Sequence, residues 1–129
     1  MTIANGESKI TETNFEKRMN HIYLLNKMCA SIKLNKNVAH IKGVKTINGM
    51  NLVGSDLRSS AALIIAGIIA KGRSKIYGLE HLDRGYENFE LKLRNLGIKI
   101  IREISKSTFE ENGYKIKSKS DNLSKLKVA

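Results

Sequence analysis

Proline and tryptophan are missing from the 129 residues, and cysteine occurs once, as Cys29. A lone cysteine excludes a disulfide framework and a metal site built from several thiolates, and it fits a reducing compartment. The absence of proline favours regular elements joined by glycine and asparagine turns. We expect Cys29 to be a buried member of a helix stripe rather than a reactive group.

A long apolar run and a leader-like amino terminus are also missing. The longest apolar run, residues 61–70, is far shorter than the roughly 20 residues that cross a bilayer. The first residues lack the basic segment and apolar stretch of a signal peptide. The sequence therefore predicts a cytoplasmic protein with no membrane partner.

Acidic residues are few beside basic ones: 12 Asp and Glu against 23 Lys and Arg give a formal net charge of +11. One interpretation is a small module that binds nucleic acid or a ribosome. The other is a compositional bias toward lysine, asparagine and isoleucine. Aromatic residues make up only 5% of the chain, too few for the stacking surface of an RNA-binding sheet, which favours the second interpretation. The charge would still attract a small anionic substrate.

Hydrophobic periodicity predicts a first helix after a short strand near residues 10–13. Thr13 is its expected N-cap, and Glu16 would complete a capping box. The stripe at helical spacing consists of Phe15, Met19, Ile22, Leu25 and Cys29.

The second predicted helix opens at Ser55 or Asp56 and ends near Lys71. From Ala61 onward it is apolar on all sides, which is typical of a helix buried on every side. A chain this short has little material to cover such a helix completely.

A third helix is predicted to begin after Asp83 and to end at Gly97 as its cap, with a stripe formed by Tyr86, Phe89, Leu93 and Leu96. Alternation predicts a hairpin at 31–42 with its turn at 35–37, a second hairpin formed by 98–103 and 113–117, and short strands at 52–53 and 74–77. Each hairpin follows a helix, so the pattern indicates a repeated αββ unit in an α/β fold.

An arginine lies near each predicted helix start, at Arg18, Arg58 and Arg84. One hypothesis is that free backbone N–H groups and guanidinium groups together hold an anion. The alternative, which the pattern alone favours, is that each arginine pairs with a neighbouring acid or faces water. His21, His40 and His81 lack metal-binding spacing, and no glycine-rich phosphate loop or catalytic triad is present. The residues alone therefore predict anion sites without a self-contained catalytic set.

Four segments carry a resemblance to a known family. Residues 10–18 resemble its ITET-x-FE-x-R motif, 55–63 its DLR-x-SA segment, 81–87 its H-x-DRGYE segment, and 92–101 its K-L-x-x-LG-x-x-I ending. In this order they resemble the bacterial UDP-N-acetylglucosamine enolpyruvyl transferases over roughly residues 3–105. That resemblance implies part of an inside-out α/β barrel of about two αββ-type units with helices inside. Residues 1–118 would belong to the C-terminal lobe, and 119–129 would form a polar, lysine-rich tail.

The resemblance also implies a reaction. The family transfers the enolpyruvyl group of phosphoenolpyruvate to the 3-hydroxyl of UDP-N-acetylglucosamine, the first committed step of peptidoglycan synthesis, and it needs no cofactor. By the same resemblance, Arg58 and Arg84 are the expected catalytic residues, which hold the phosphoenolpyruvate anion, and Arg18 supports the cleft. The other substrate-binding residues are Asn14, Phe15, Asp56 and Leu57, with Asp56 orienting Arg58 or a substrate hydroxyl. Asn14 departs from the family, which usually has an aliphatic residue there.

The family's proton-donor cysteine, amino-terminal lysine and general-base aspartate have no counterparts among these residues, since each lies upstream of the matched segments. The resemblance therefore predicts a truncated chain that is inactive alone and whose partner is the missing remainder of the enzyme. The alternatives are the small basic nucleic-acid- or ribosome-binding module and a non-functional gene remnant.

Overall fold

The computed structural model describes residues 1–14, 16–103 and 113–116. Within them lie seven strands: β1 (Glu7–Thr11), β2 (Ser31–Asn35), β3 (Val38–Lys42), β4 (Asn51–Val53), β5 (Ser74–Tyr77), β6 (Ile100–Glu103) and β7 (Gly113–Ile116). The helices are α1 (His21–Lys27), α2 (Leu57–Ile69), α3 (Glu80–Gly85) and α4 (Phe89–Asn95), and a 3₁₀ turn covers Glu16–Met19. The predicted lysine-rich tail and the boundary at residue 118 lie outside the described residues.

The strands form two sheets of related topology. One has the order β1-β3-β2, with both pairings antiparallel, and the other has the order β4-β5-β7-β6. In the second sheet β4 and β5 are parallel, whereas β7 is antiparallel to both β5 and β6. The path β1-α1-β2-β3 therefore matches the path from β5 through α3 and α4 to β6 and β7, which confirms the predicted hairpins and extends the αββ repeat by one strand.

The repeat is also visible in hydrogen bonds at the two helix ends. Ala30 N–H donates to Leu25 O after α1, and Ile98 N–H donates to Leu93 O after α4. These bonds span five residues, as in a Schellman motif, with Cys29 (φ 68°) and Gly97 (φ 82°) in the left-handed position. Cys29 is therefore exposed and lies beyond the helix, so its predicted place in a buried stripe is wrong, and Met28 is the buried neighbour.

The first helix also begins later than predicted. α1 starts at His21 with Asn20 as its N-cap and without a side-chain capping bond, so the Thr13 capping box is wrong. The backbone of Glu12 instead pairs with Asn37, through Glu12 N–H to Asn37 O at 2.9 Å and Asn37 Nδ2 to Glu12 O at 2.8 Å. These bonds hold the chain extended where the local pattern placed a helix start. Phe15 lies outside the described residues.

The main core forms around α2, whose N-cap and bounds confirm the predicted second helix to within two residues. Leu63 and Ile64 are fully buried there and pack with Ile76 and Ile116 of the sheet. Ile65, however, is 56% exposed, so the predicted burial of α2 on every side is wrong for this part of the chain. Its outer face is not covered by residues 1–14, 16–103 and 113–116.

The predicted third helix is two helices. Tyr86 is extended and Asn88 adopts a left-handed backbone (φ 50°), which separates α3 from α4. The rings of Tyr86 and Phe89 pack at 5.2 Å between centroids across this break. Arg84 consequently lies in the last turn of α3 and Asp83 in the first turn of that six-residue helix, so neither precedes a helix as predicted.

Among the described residues, no helix combines the length and the apolar character needed to cross a membrane.

Candidate functional site

The candidate site lies at the carboxyl ends of the parallel strands β4 and β5. α2 begins after β4 and α3 after β5, so both helices leave the sheet at the same edge, where α/β proteins commonly bind ligands. Gly54 N–H donates to Tyr77 O at 3.0 Å and holds the two strand ends together. The segments that carry Arg58 and Arg84 are thus neighbours in space although they are far apart in sequence.

Two glycines allow this close approach. A Cβ on Gly78 would lie 2.3 Å from the carbonyl oxygen of Gly54, and Gly78 also has φ +79°. A Cβ on Gly54 would lie 2.1 Å from Ser60 Oγ, and that hydroxyl donates to Gly78 O at 3.3 Å. The distance between the two strand ends therefore depends on the absence of these side chains.

Asp56 fixes the start of α2. Its Oδ1 accepts hydrogen bonds from Arg58 N–H at 2.9 Å and Ser59 N–H at 3.0 Å. Ser59 Oγ in turn accepts from Asp56 N–H at 3.0 Å, which completes a capping box. Partial burial raises the pKa of Asp56, but the hydrogen bonds from Ser59, Ser55 and Arg58 outweigh it, so the pKa lies below its ordinary value and the carboxylate is held charged.

The end of α3 rests on the start of α2. A Cβ on Gly85 would lie 2.6 Å from both methyl carbons of Leu57, so backbone and side chain are in direct contact there. Arg58 and Arg84 flank this contact, one residue from Leu57 and Gly85 respectively, and both are exposed. Within the described ranges, neither guanidinium group forms an ion pair or a side-chain hydrogen bond.

A third segment reaches the same place from β1. His21 lies at the start of α1. Its pKa is affected by a hydrogen bond to the backbone of Arg18 and by the negative charge of Asp56. Burial lowers the pKa of His21, and the Asp56 charge and the Arg18 hydrogen bond offset only part of that effect, so the imidazole is neutral near pH 7. Arg18 itself lies 3.9 Å from Glu12 across an ion pair. His21 is a site neighbour that the sequence pattern did not reveal.

The arginine pattern is thus only partly as predicted. Arg58 does lie in the first turn of a helix, but Arg18 lies in a 3₁₀ turn and Arg84 in the last turn of α3. The alternative hypothesis, that each arginine pairs with a neighbouring acid or faces water, fits all three arginines: Arg18 pairs with Glu12, whereas Arg58 and Arg84 are exposed. Arg84 follows Asp83, whose carboxylate binds Arg102 instead.

Asn14 and Leu57 are the other described residues that were predicted to bind substrate. Asn14 is exposed, and its backbone N–H donates to Glu12 Oε1 at 2.9 Å. Leu57 is half-buried beneath Gly85, where it supports the helix contact.

Two cavities of about 450 Å³ and 580 Å³ contain none of these residues, since they lie beside β6 and on the outer face of the first sheet. No cluster of three or more metal-ligating side chains occurs in the described part of the chain.

Asp56 gives the first testable prediction. Replacing Asp56 with alanine removes the acceptor for two N–H groups of α2, so the free energy of unfolding should fall by about 1 kcal/mol. Asp56→Asn keeps a capping oxygen and should be close to the parent. Urea unfolding of the 129-residue chain, followed by circular dichroism, measures both. Equal stability of the alanine and parent chains would contradict the capping role.

The comparisons with known proteins agree with this arrangement of helix ends on a mixed sheet. A family model described as EPSP synthase (3-phosphoshikimate 1-carboxyvinyltransferase) matches residues 1–93. The chain therefore belongs to the EPSP synthase family of enolpyruvyl transferases.

Two relatives show which enzyme of that family the chain resembles. The chain is 89% identical over 129 residues to the UDP-N-acetylglucosamine 1-carboxyvinyltransferase of Prochlorococcus marinus (strain AS9601), covering 100% of this chain and 28% of that relative. It is 47% identical over 102 residues to the enzyme of the same name from Trichormus variabilis (strain ATCC 29413 / PCC 7937), covering 79% of this chain and 23% of that relative. The resemblance inferred from the motifs is confirmed. The chain spans about a quarter of the length of the curated relatives that it matches.

Solved structures confirm the α/β fold. The enolpyruvyl transferase NikO from Streptomyces tendae superposes with a TM-score of 0.66 at 28% identity, over 73% of this chain and 22% of that chain. EPSP synthase from Acinetobacter baumannii also gives a TM-score of 0.66, at 16% identity over 92% of this chain and 26% of that chain, a likeness of fold alone. The nucleic-acid and gene-remnant alternatives gain no support from these comparisons.

Proposed function

We propose that the chain provides the phosphoenolpyruvate-binding part of a UDP-N-acetylglucosamine 1-carboxyvinyltransferase, with Arg58 and Arg84 as the groups that hold the anion. The observation that carries the proposal is the contact between Leu57 and Gly85. It brings together the helix ends that carry Arg58 and Arg84, two exposed residues that have no ion pair within the described residues.

The chemistry of the substrate suits this pair. Phosphoenolpyruvate carries a carboxylate and a phosphate, and addition to its double bond forms a charged tetrahedral species. Cations that are held in place before the reaction stabilise such a species, because they need no reorganisation as the charge develops. Arginine matches two anionic oxygens at once through its planar fork.

UDP-N-acetylglucosamine is the proposed acceptor, on the basis of the names of the relatives with 89% and 47% identity. Asp56 uses Oδ1 for the helix cap, whereas Oδ2 accepts one hydrogen bond from the described residues, from Ser55 Oγ at 3.2 Å. That oxygen is available to accept from a substrate hydroxyl, which favours this role over orienting the Arg58 guanidinium. Asn14 and Phe15 would contact the nucleotide sugar, and Arg18 would support the cleft through His21.

The proposal places the chain in peptidoglycan synthesis in the cytoplasm, acting with the remaining length of the full enzyme. The proton donor, lysine and general base that the family uses would come from that remaining length. We therefore expect the 129 residues to bind substrate without turning it over alone.

The test joins this chain to the rest of the Prochlorococcus marinus AS9601 relative, in place of the matching segment. Phosphate release from phosphoenolpyruvate is then measured with UDP-N-acetylglucosamine or with 3-phosphoshikimate as acceptor. We expect release with the first acceptor and none above background with the second. The opposite preference would assign the chain to the 3-phosphoshikimate reaction, and no release with either would overturn the proposal, provided that the unmodified relative is active in the same assay.

A further inference from the structure

Arg102 in β6 is tied to the acid that precedes Arg84. Its Nη1 donates to Asp83 Oδ1 at 3.0 Å, and its Nη2 donates to Asp83 Oδ2, so the two planar groups meet through both pairs of atoms. Nη1 also lies 3.9 Å from Glu90 Oε1 in α4. One side chain of the sheet thus connects α3, α4 and β6.

This pairing changes the charge next to the candidate site. Asp83 and Arg84 are consecutive in α3, and consecutive helix side chains point in different directions. Asp83 faces Arg102, while Arg84 remains outside any ion pair of the described residues. Without Arg102, a bare carboxylate would lie one residue from the group proposed to hold an anion and would repel it.

We propose that Arg102 is a positioning residue for the phosphoenolpyruvate site. It neutralises Asp83 and so leaves the positive charge of Arg84 available to the substrate. The inference rests on the proposed function, since it assigns Arg102 a role only if Arg84 holds the anion. Arg102 acts through Asp83 and does not touch the substrate.

If the role of Arg102 were purely structural, its loss would lower the stability of the fold instead of changing substrate binding. The Asp83 side chain is 43% exposed and that of Arg102 25%, and partly exposed ion pairs contribute little to stability. Loss of the pair should therefore leave the unfolding midpoint nearly unchanged. Its effect on a multiply charged ligand is larger, because each anionic group of the ligand feels the uncompensated carboxylate.

The test uses the joined full-length enzyme. Arg102→Ala should raise KM for phosphoenolpyruvate about tenfold, a plausible size for one uncompensated charge near a partly exposed site, with a smaller change in kcat. Added salt should shrink the difference, because it screens the Asp83 charge. The decisive variant is Asp83→Asn with Arg102→Ala, which removes the repelling carboxylate and should restore KM to near the parent value.

A matched control lies on the same strand. Glu103 pairs with Lys75 at 3.2 Å, and as the residue after Arg102 in β6 its side chain faces the other side of the sheet. Glu103→Gln should therefore leave KM unchanged. An unchanged KM in Arg102→Ala, or a raised KM that the double variant does not restore, would overturn the inference. Arg84→Ala is measured alongside: if it leaves KM and kcat unchanged, the proposed function itself fails, whatever Arg102 does.

Discussion

Replacing Arg84 with alanine in the full-length enzyme that carries this chain should lower kcat/KM for phosphoenolpyruvate by about 10²- to 10³-fold, the usual cost of removing one preorganised donor. The side chain is exposed at the end of α3 and forms no ion pair with the described residues, so its charge is not needed for folding. Arg58→Ala should have an effect of similar size, because Arg58 flanks the same Leu57–Gly85 contact. Steady-state kinetics at several phosphoenolpyruvate concentrations measures both losses.

Three further variants test whether the loss of activity depends on the guanidinium group and on its position in the chain. Arg84→Lys keeps the charge but loses the planar fork, so it should recover only part of the activity. Arg73→Ala removes another exposed arginine, which lies just before β5 at the opposite end of that strand, and should be neutral. The double Arg58→Ala, Arg84→Ala variant should lose less than the product of the single losses if both groups hold one anion. Activity close to the parent in either single variant would remove that arginine from the site.

The start of α2 is the part of the site that the sequence predicted well. Asp56 was one of two expected caps, and the structure shows its carboxylate bound to the N–H groups of Arg58 and Ser59. A capping box acts within four residues, so a sequence window contains all of its physics. The same holds for the hairpins and for Gly97, whose left-handed backbone ends α4.

The errors lie where distant contacts override a local pattern. The predicted helix start at Thr13 failed because Asn37, 25 residues from Glu12, holds that backbone extended. The predicted third helix was wrong because the chain breaks between α3 and α4, where Tyr86 is extended and Asn88 adopts a left-handed backbone. Cys29 was assigned to the core because its spacing fits the stripe, although its position in the repeat matches that of Gly97.

The adjacency of the two helix ends that carry Arg58 and Arg84 could not be predicted from spacing at all. It depends on β4 and β5 being parallel neighbours, which a sequence pattern leaves open. Gly54 and Gly78 gave no motif, since each glycine is isolated in the sequence. Their role appears only when both strand ends are placed side by side, with Gly78 against the Gly54 carbonyl.

Gly78→Ala should therefore destabilise the chain strongly. The alanine would have to adopt the left-handed backbone of Gly78, and its methyl group would lie 2.3 Å from the carbonyl oxygen of Gly54. The backbone term costs about 1–2 kcal/mol, and forcing apart packed backbone adds roughly 1–3 kcal/mol. A loss of about 3 kcal/mol in the free energy of unfolding follows, measured by urea unfolding of the 129-residue chain.

Gly72→Ala separates the two causes. Gly72 also has a left-handed backbone, at φ +94°, but a Cβ there would meet nothing within 4 Å. It should lose only the backbone term, about 1 kcal/mol, and leave the activity of the full-length enzyme unchanged. Gly78→Ala should also lower that activity, because spreading β4 from β5 moves Arg58 away from Arg84. Equal losses of stability in the two variants would show that the strand ends have room to separate, and the close approach of Gly78 to Gly54 would then not be what fixes the spacing of β4 and β5.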